Sequence, residues 1–191
     1  MIATTIRGVG LVFKTDGIAF SPHKIDKGTL AMLSIIDLKP TDKVLDLGCG
    51  YGVVGIYAVK HIGGQNVVMS DIDETCVGIS KTNAGMNGVG GIKIIQSDGF
   101  GSIQNNDFTL ILSNPPYQAD FSVPKHFIEK GFNRLKVGGK LYMVTKRKEW
   151  YKNKLIAIFG GVLINEIDGY YVFCSEKRDT QYRNRQYARL R

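Results

Sequence analysis

Four polar side chains stand where short apolar runs give way to turns. Asp46 closes Val44-Leu45 and leads through Leu47 into Gly48-Cys49-Gly50-Tyr51-Gly52, after which an apolar helical pattern begins. Asp71 follows Asn66 to Ser70, Ser97-Asp98-Gly99 follows Ile92 to Gln96, and Asn114-Pro115-Pro116-Tyr117 follows Phe108 to Ser113. Glycines are required where backbone takes positive φ or lies against a ligand with no Cβ between them. The helix after them aims its free N–H groups at the loop. This loop suits a nucleotide-like ligand. Gly50, Gly52 and Gly55 also satisfy the dinucleotide spacing G-x-G-x-x-G. Asp46 weighs against that reading, because a carboxylate before the glycines repels a pyrophosphate and favours a ligand with a cationic end. Asp71 can accept both hydroxyls of an adenosine ribose. Asp98 can accept from an adenine amine while the next backbone N–H, that of Gly99, reaches a ring nitrogen.

Asn114-Pro115-Pro116-Tyr117 points to the acceptor. Two prolines fix φ and remove two N–H donors. The carbonyls of Asn114 and Pro115 and the Asn114 side chain remain as hydrogen-bond acceptors, with the Tyr117 ring beside them. Such a set grips the hydrogens of a planar NH2 group, whose nitrogen is a poor nucleophile while its lone pair is delocalised. Positioning and electrostatics then carry the rate, without a strong base. Tyr117 would stack on a base that has been unstacked or flipped.

The elements that must position these residues alternate. Helices are expected over about 27–37, 52–61, 73–87, 124–135 and 149–159. Strands are expected over 43–47, 66–70, 92–96, 108–113, 140–145, 162–168 and 170–175, the last two a hairpin through Gly169. Alternation implies a parallel sheet with right-handed crossovers, and the closing hairpin turns one strand antiparallel. Residues 1–22 read as a β-hairpin extension, Val9 to Lys14 and Gly17 to Phe20 flanking a turn at Thr15-Asp16-Gly17. One domain then runs over 23–175, followed by a basic tail over 176–191.

The chain has 191 residues, enough for one α/β domain with a full core. Its 25 basic and 17 acidic residues leave a net charge of +8, with a pI near 9.4, which favours a polyanionic partner. Six basic residues against two acidic ones fall in 176–191, with Tyr182 and Tyr187 interleaved. Cations for phosphates and rings for bases suit RNA. Lys146-Arg147-Lys148, after the fifth strand, is a second candidate for RNA contact. Cys49, Cys76 and Cys174 and the three histidines show no metal spacing, so no metal is expected. His126 and Trp150 read as packing residues. No apolar run reaches the ~20 residues that span a bilayer, and a cytoplasmic protein is expected. Oligomeric state stays open.

The glycine loop with Asp46, together with Asp71, Ser97-Asp98 and Asn114-Pro115-Pro116-Tyr117, resembles the amino-methylating class I S-adenosylmethionine-dependent methyltransferases. Phe20-Ser21 with Asp26-Lys27-Gly28-Thr29 resembles the start of the methyltransferase small domain, found in ribosomal-RNA guanine-N2 methyltransferases. The resemblance covers about 20–175. It implies a Rossmann-like seven-stranded, mostly parallel sheet with an antiparallel last strand and helices on both faces. It also implies a cofactor site of Lys27, Gly28, Thr29, Asp46, Gly48, Cys49, Gly50, Gly52, Asp71, Ile72, Asp98, Gly99 and Asn114. Within it, Lys27-Gly28-Thr29 would close over the methionine end. Release-factor glutamine methyltransferases share Asn-Pro-Pro-Tyr, so a protein amide is an alternative acceptor; a non-catalytic cofactor- or RNA-binding module is another.

Overall fold

The computed structural model describes residues 1–15, 24–116 and 120–181. Two strands, β1 (Ile2–Ile6) and β2 (Val9–Phe13), form an antiparallel hairpin. Helix α1 (Lys27–Ile35) precedes the alternating body: β3 (Val44–Leu47), α2 (Val53–Ile62), β4 (Val67–Asp71), α3 (Glu74–Met86), β5 (Lys93–Gln96) and β6 (Phe108–Ser113). Then come α4 (Ser122–Arg134), β7 (Leu135–Thr145), α5 (Lys148–Phe159), β8 (Leu163–Ile167) and β9 (Tyr170–Glu176).

The seven-stranded sheet has the order β5-β4-β3-β6-β7-β9-β8. Every pairing is parallel except those of β9, which runs against both β7 and β8. β3 and β6 are buried at every position, as expected of parallel strands covered on both faces. One apolar cluster joins the sheet to the hairpin, α1, α2 and α3. The other joins it to α4 and α5 through residues such as Phe132, Leu155 and Phe173. The chain moves outward from β3 to β5, returns to β6, and then moves the other way. Carboxyl ends at such a reversal are where open α/β sheets bind ligands.

The N-terminal hairpin differs from the expected one. Its turn is Arg7-Gly8, not Thr15-Asp16-Gly17; Asp16 and Gly17 lie outside the described residues, as do Phe20, Ser21 and Pro22. Arg7 and Gly8 both take positive φ, 46° and 84°, which matches the twist of a tight hairpin. Arg7 is held there because its guanidinium donates to the Ile36 carbonyl at 2.6 Å, just past the end of α1. The hairpin is also docked into the body. Asn83 of α3 and Asn87, its C-cap one turn on, each accept from and donate to the backbone of β2 and its extension, at Lys14 and Val12.

The basic tail expected from 176 does not begin there. Glu176 is the last residue of β9, and Lys177 is buried. The backbone of Lys177 exchanges hydrogen bonds with Gly138 and Gly139, and its ammonium donates to the Leu135 carbonyl at 2.7 Å. Burial holds the Lys177 ammonium below the usual lysine pKa. These contacts extend β7 back to Leu135, earlier than the expected start near 140. Tyr182, Arg183, Arg185, Tyr187, Arg189 and Arg191 lie outside the described residues.

Candidate active site

The loops leaving β3, β4, β5 and β6 enclose a cavity of about 300 Å³. Its floor is the glycine loop. Gly48, Gly50 and Gly52 all have positive φ, between 56° and 99°. A Cβ on Gly50 would meet nothing within 4 Å, whereas one on Gly52 would press on Ile56 and Met69 at 3.0 Å. Gly50 therefore borders open space, and Gly52 is demanded by packing under the start of α2. Gly55 is tighter still: a Cβ there would lie 2.4 Å from Met69 and 3.1 Å from the Asp46 carboxylate. This close approach lets the Gly55 N–H donate to Asp46 Oδ2 at 2.8 Å.

Asp46 is almost fully buried, and burial pushes its pKa up to about 7 despite the Gly55 N–H; Asp71 adds to the rise. The charge on Asp46 is therefore nearly balanced against its proton. A cationic ligand group beside it would tip the balance toward the carboxylate.

Asp71 closes the floor. Its Oδ2 accepts from Gly50 N at 2.8 Å and its Oδ1 from Asp73 N at 3.0 Å. A carboxylate has about four acceptor positions, so both oxygens can still take hydroxyls. Burial raises the Asp71 pKa, opposed by these N–H groups. Asp73 instead caps α3, accepting from Thr75 N, and so serves the helix, as its position before Glu74 suggests.

Asn114 divides its amide between two jobs. Nδ2 donates to Asp26 Oδ1 at 2.8 Å and to Thr29 Oγ1 at 2.9 Å. Oδ1 is buried and has no hydrogen-bond partner among the described residues. Asp26 is itself the N-cap of α1, accepting from Thr29 N at 3.0 Å. The helix cap thus orients the asparagine. A buried acceptor left open is costly, on the order of 1–3 kcal/mol, and calls for a donor from outside. Ser113, buried just before it, donates to the Leu47 carbonyl at 2.7 Å and ties the end of β6 to that of β3.

Of the expected cofactor positions, Thr29, Asp46, Gly48, Cys49, Gly50, Asp71, Ile72, Asp98, Gly99 and Asn114 line the cavity, and so does Pro116. Lys27, Gly28, Gly52 and Pro115 are not among its walls. Lys27 is exposed and Gly28 buried in the first turn of α1, where Asp26 and Thr29 are the residues that reach the cavity. Pro115 is buried. Tyr117 lies outside the described residues.

Sequence reasoning missed residues that act from other elements. Phe127 and Val123 of α4 form an apolar wall. From behind the glycine loop, Ser80 donates to the Gly50 carbonyl and Asn83 to the Tyr51 carbonyl, both at 2.8 Å. Their only sequence signal was polarity on the apolar face of a helix. His126 lies beside Phe100 and Phe127 and under Gly99, and Trp150 packs on Phe121 and Tyr151.

A mostly parallel sheet that gathers Asp46, Asp71, Asp98 and Asn114 around one cavity at its carboxyl edge defines a Rossmann-like domain with a ligand site. The chain belongs to the methyltransferase small domain family, whose model matches residues 10–174. It is 30% identical over 178 residues to the uncharacterized protein YbxB of Bacillus subtilis, covering 90% of this chain and 89% of that one. It is 34% identical over 148 residues to the ribosomal RNA small subunit methyltransferase C of Haemophilus ducreyi, covering 74% of this chain and 44% of that one. Among solved structures, a 16S rRNA N2 methyltransferase from T. thermophilus, in complex with AdoMet and guanosine, superposes with a TM-score of 0.83. The two are 26% identical, over 93% of this chain and 50% of the other. The chain spans about half the length of these ribosomal RNA methyltransferases. Among the described residues, no helix is long and apolar enough to cross a membrane.

Proposed function

We propose that the chain transfers a methyl group from S-adenosylmethionine to the exocyclic N2 amine of a guanine in small-subunit ribosomal RNA. The observation that carries this is the buried Oδ1 of Asn114 at the carboxyl end of β6, which has no hydrogen-bond partner among the described residues. Family membership and the likeness to RNA guanine-N2 methyltransferases support the choice of acceptor.

The residues present fit the cofactor. Asp71 keeps free acceptor positions for a ribose, Asp98 and Gly99 stand at the next loop for an adenine edge, and exposed Ile72 can cover its face. Asp46 offers a carboxylate for an ammonium. When bound, the cofactor supplies a methyl group on a positively charged sulfur.

The protein's own part is to prepare the amine. Asn114 Oδ1 accepts one N–H of the NH2 group, and the Pro115 carbonyl is the expected second acceptor. Gripped this way, the nitrogen is drawn from planar toward tetrahedral and its lone pair is localised. Positive charge that develops on the nitrogen is met by oriented oxygens that need no reorganisation. The surplus proton becomes acidic only then, and water can remove it. The Phe127 and Val123 wall keeps one side of the site dry. An RNA substrate goes with a cytoplasmic location and with an RNA-holding role for the tail from Tyr182 onward.

Purified protein is incubated with tritium-labelled S-adenosylmethionine and either naked small-subunit RNA or the assembled small subunit. The products are digested to nucleosides and resolved by mass spectrometry. N2-methylguanosine is expected. Label that survives RNase and is lost with protease would move the acceptor to a protein amide.

A further inference from the structure

The passage from β7 into α5 carries three consecutive cations, Lys146, Arg147 and Lys148, all exposed. Each is held over an aromatic ring: Lys146 over Tyr170 at 4.9 Å, Arg147 over Phe121 at 4.9 Å and Lys148 over Tyr171 at 5.0 Å. None has a carboxylate partner among the described residues. Over 146–154 there are five basic residues and one acidic, Glu149, which pairs with Lys152. Phe121 stacks on Trp150 with ring centroids 4.5 Å apart and planes 22° from parallel, both rings half-buried. Arg147 is fixed by its place as the N-cap of α5, its N–H donating to Thr145 Oγ1.

This cluster adjoins the cavity. β7 pairs in parallel with β6, Met143 opposite Ser113, so Lys146 leaves the sheet at the edge where Asn114 stands. Phe121 comes two residues before Val123, which lines the cavity. Unneutralised cations ordered on rings fit a phosphate backbone, and a guanidinium on a Phe–Trp stack presents a flat, charged surface to a base.

We propose that Lys146, Arg147 and Lys148, with the Phe121–Trp150 stack, form a landing site for single-stranded RNA next to the modified base. The site takes the phosphates and one unstacked base of a neighbouring nucleotide, and it rests on the RNA-modifying reading above. The cations supply charge that is insensitive to sequence. The stack holds the flanking nucleotide while the target amine enters the cavity.

The test measures affinity for a fluorescein-labelled ten-nucleotide single-stranded RNA by anisotropy over a range of salt. The full chain is used, with no turnover required. For the triple variant K146A/R147A/K148A, the slope of log affinity against log salt should flatten by about 2, since each phosphate contact on a single strand contributes about 0.7. Trp150→Ala should weaken binding about five- to a hundredfold with the slope unchanged. Arg147→Lys, at an exposed position that leaves the fold intact, should keep the slope and lose affinity. S-adenosylmethionine affinity by calorimetry should be the same in all. Wild-type affinity and slope in the triple variant and in Arg147→Lys would overturn the proposal. So would loss of binding to anionic vesicles or an acidic peptide with RNA binding unchanged. Methylation is scored separately on the wild type. If the wild type methylates no guanine but the triple variant still loses RNA, the landing site stands and the reaction assignment falls.

Discussion

Replacing Asn114 with alanine removes two interactions of different kinds. The Oδ1 acceptor has no hydrogen-bond partner among the described residues, so its loss breaks no bond in the free protein, and the relief from burying it open roughly offsets the loss of the neutral bond to Thr29. The loss of Oδ1 should appear in turnover. A preorganised polar group aimed at developing charge is worth about a hundred- to a thousandfold in kcat. The Nδ2 donor, by contrast, bonds Asp26 at 2.8 Å and Thr29 at 2.9 Å, and its loss should appear in stability. A hydrogen bond to a charged group contributes about 1.5–3 kcal/mol. In a domain of this size each kcal/mol shifts Tm by about 2–4 °C, so Asn114→Ala should lower Tm by roughly 3–12 °C. Cofactor affinity should change little, because Asp46, Asp71 and Asp98 do not depend on the amide. Asn114→Asp is the harsher change. It replaces the donor facing Asp26 with a second carboxylate at hydrogen-bonding distance, and such a pair cannot hold two charges. Turnover should fall at least as far as in the alanine variant, with a larger loss of stability. Single-turnover methylation, calorimetry and thermal melts measure the three effects. Near-normal turnover in Asn114→Ala with cofactor affinity intact would refute the amine grip and leave Asn114-Pro115-Pro116-Tyr117 a rigid turn.

Asp71→Ala should weaken S-adenosylmethionine about tenfold or more by calorimetry, since it removes ribose acceptors and frees the Gly50 N–H that the carboxylate holds at 2.8 Å; unchanged affinity would move the ribose contact elsewhere. Asp46, with its pKa raised by burial to about 7, binds more protons folded than unfolded between about pH 4 and 7. Its contribution to the stability of the ligand-free protein is therefore full below pH 4 and lost as pH rises through 7. Melts of wild type against Asp46→Asn should diverge in that window, and cofactor affinity should rise through pH 7 in wild type only. Deleting 182–191 should spare cofactor affinity and flatten the salt dependence of RNA binding, whereas deleting 177–191 should also lower Tm by removing the Lys177 bonds to Leu135, Gly138 and Gly139. An unchanged salt slope in the shorter deletion would leave the tail without an RNA role.

Most of what the sequence alone determined is local. A buried run ending in Asp46, glycines taking positive φ, and a helix at Val53 follow from the conformational limits of neighbouring residues. So does the turn at Gly169. Alternating periodicity was enough for the parallel sheet, because strands buried on both faces read as unbroken apolar runs. The tertiary structure decided whatever depended on partners far along the chain. Asn114 looked like a pair of acceptors, but its amide is oriented by Asp26 and Thr29, 88 and 85 residues away. The hairpin turn moved to Arg7-Gly8 because the guanidinium of Arg7 finds the free carbonyl of Ile36. The glycine loop is held from below by Ser80 and Asn83, whose spacing on α3 says nothing of the loop they meet. Lys177 read as part of the basic tail and is buried over Phe132, where the Leu135 carbonyl takes its ammonium. Local conformational preference reaches only a few residues along the chain, whereas a buried donor or acceptor takes whichever partner the packed sheet brings within 3 Å.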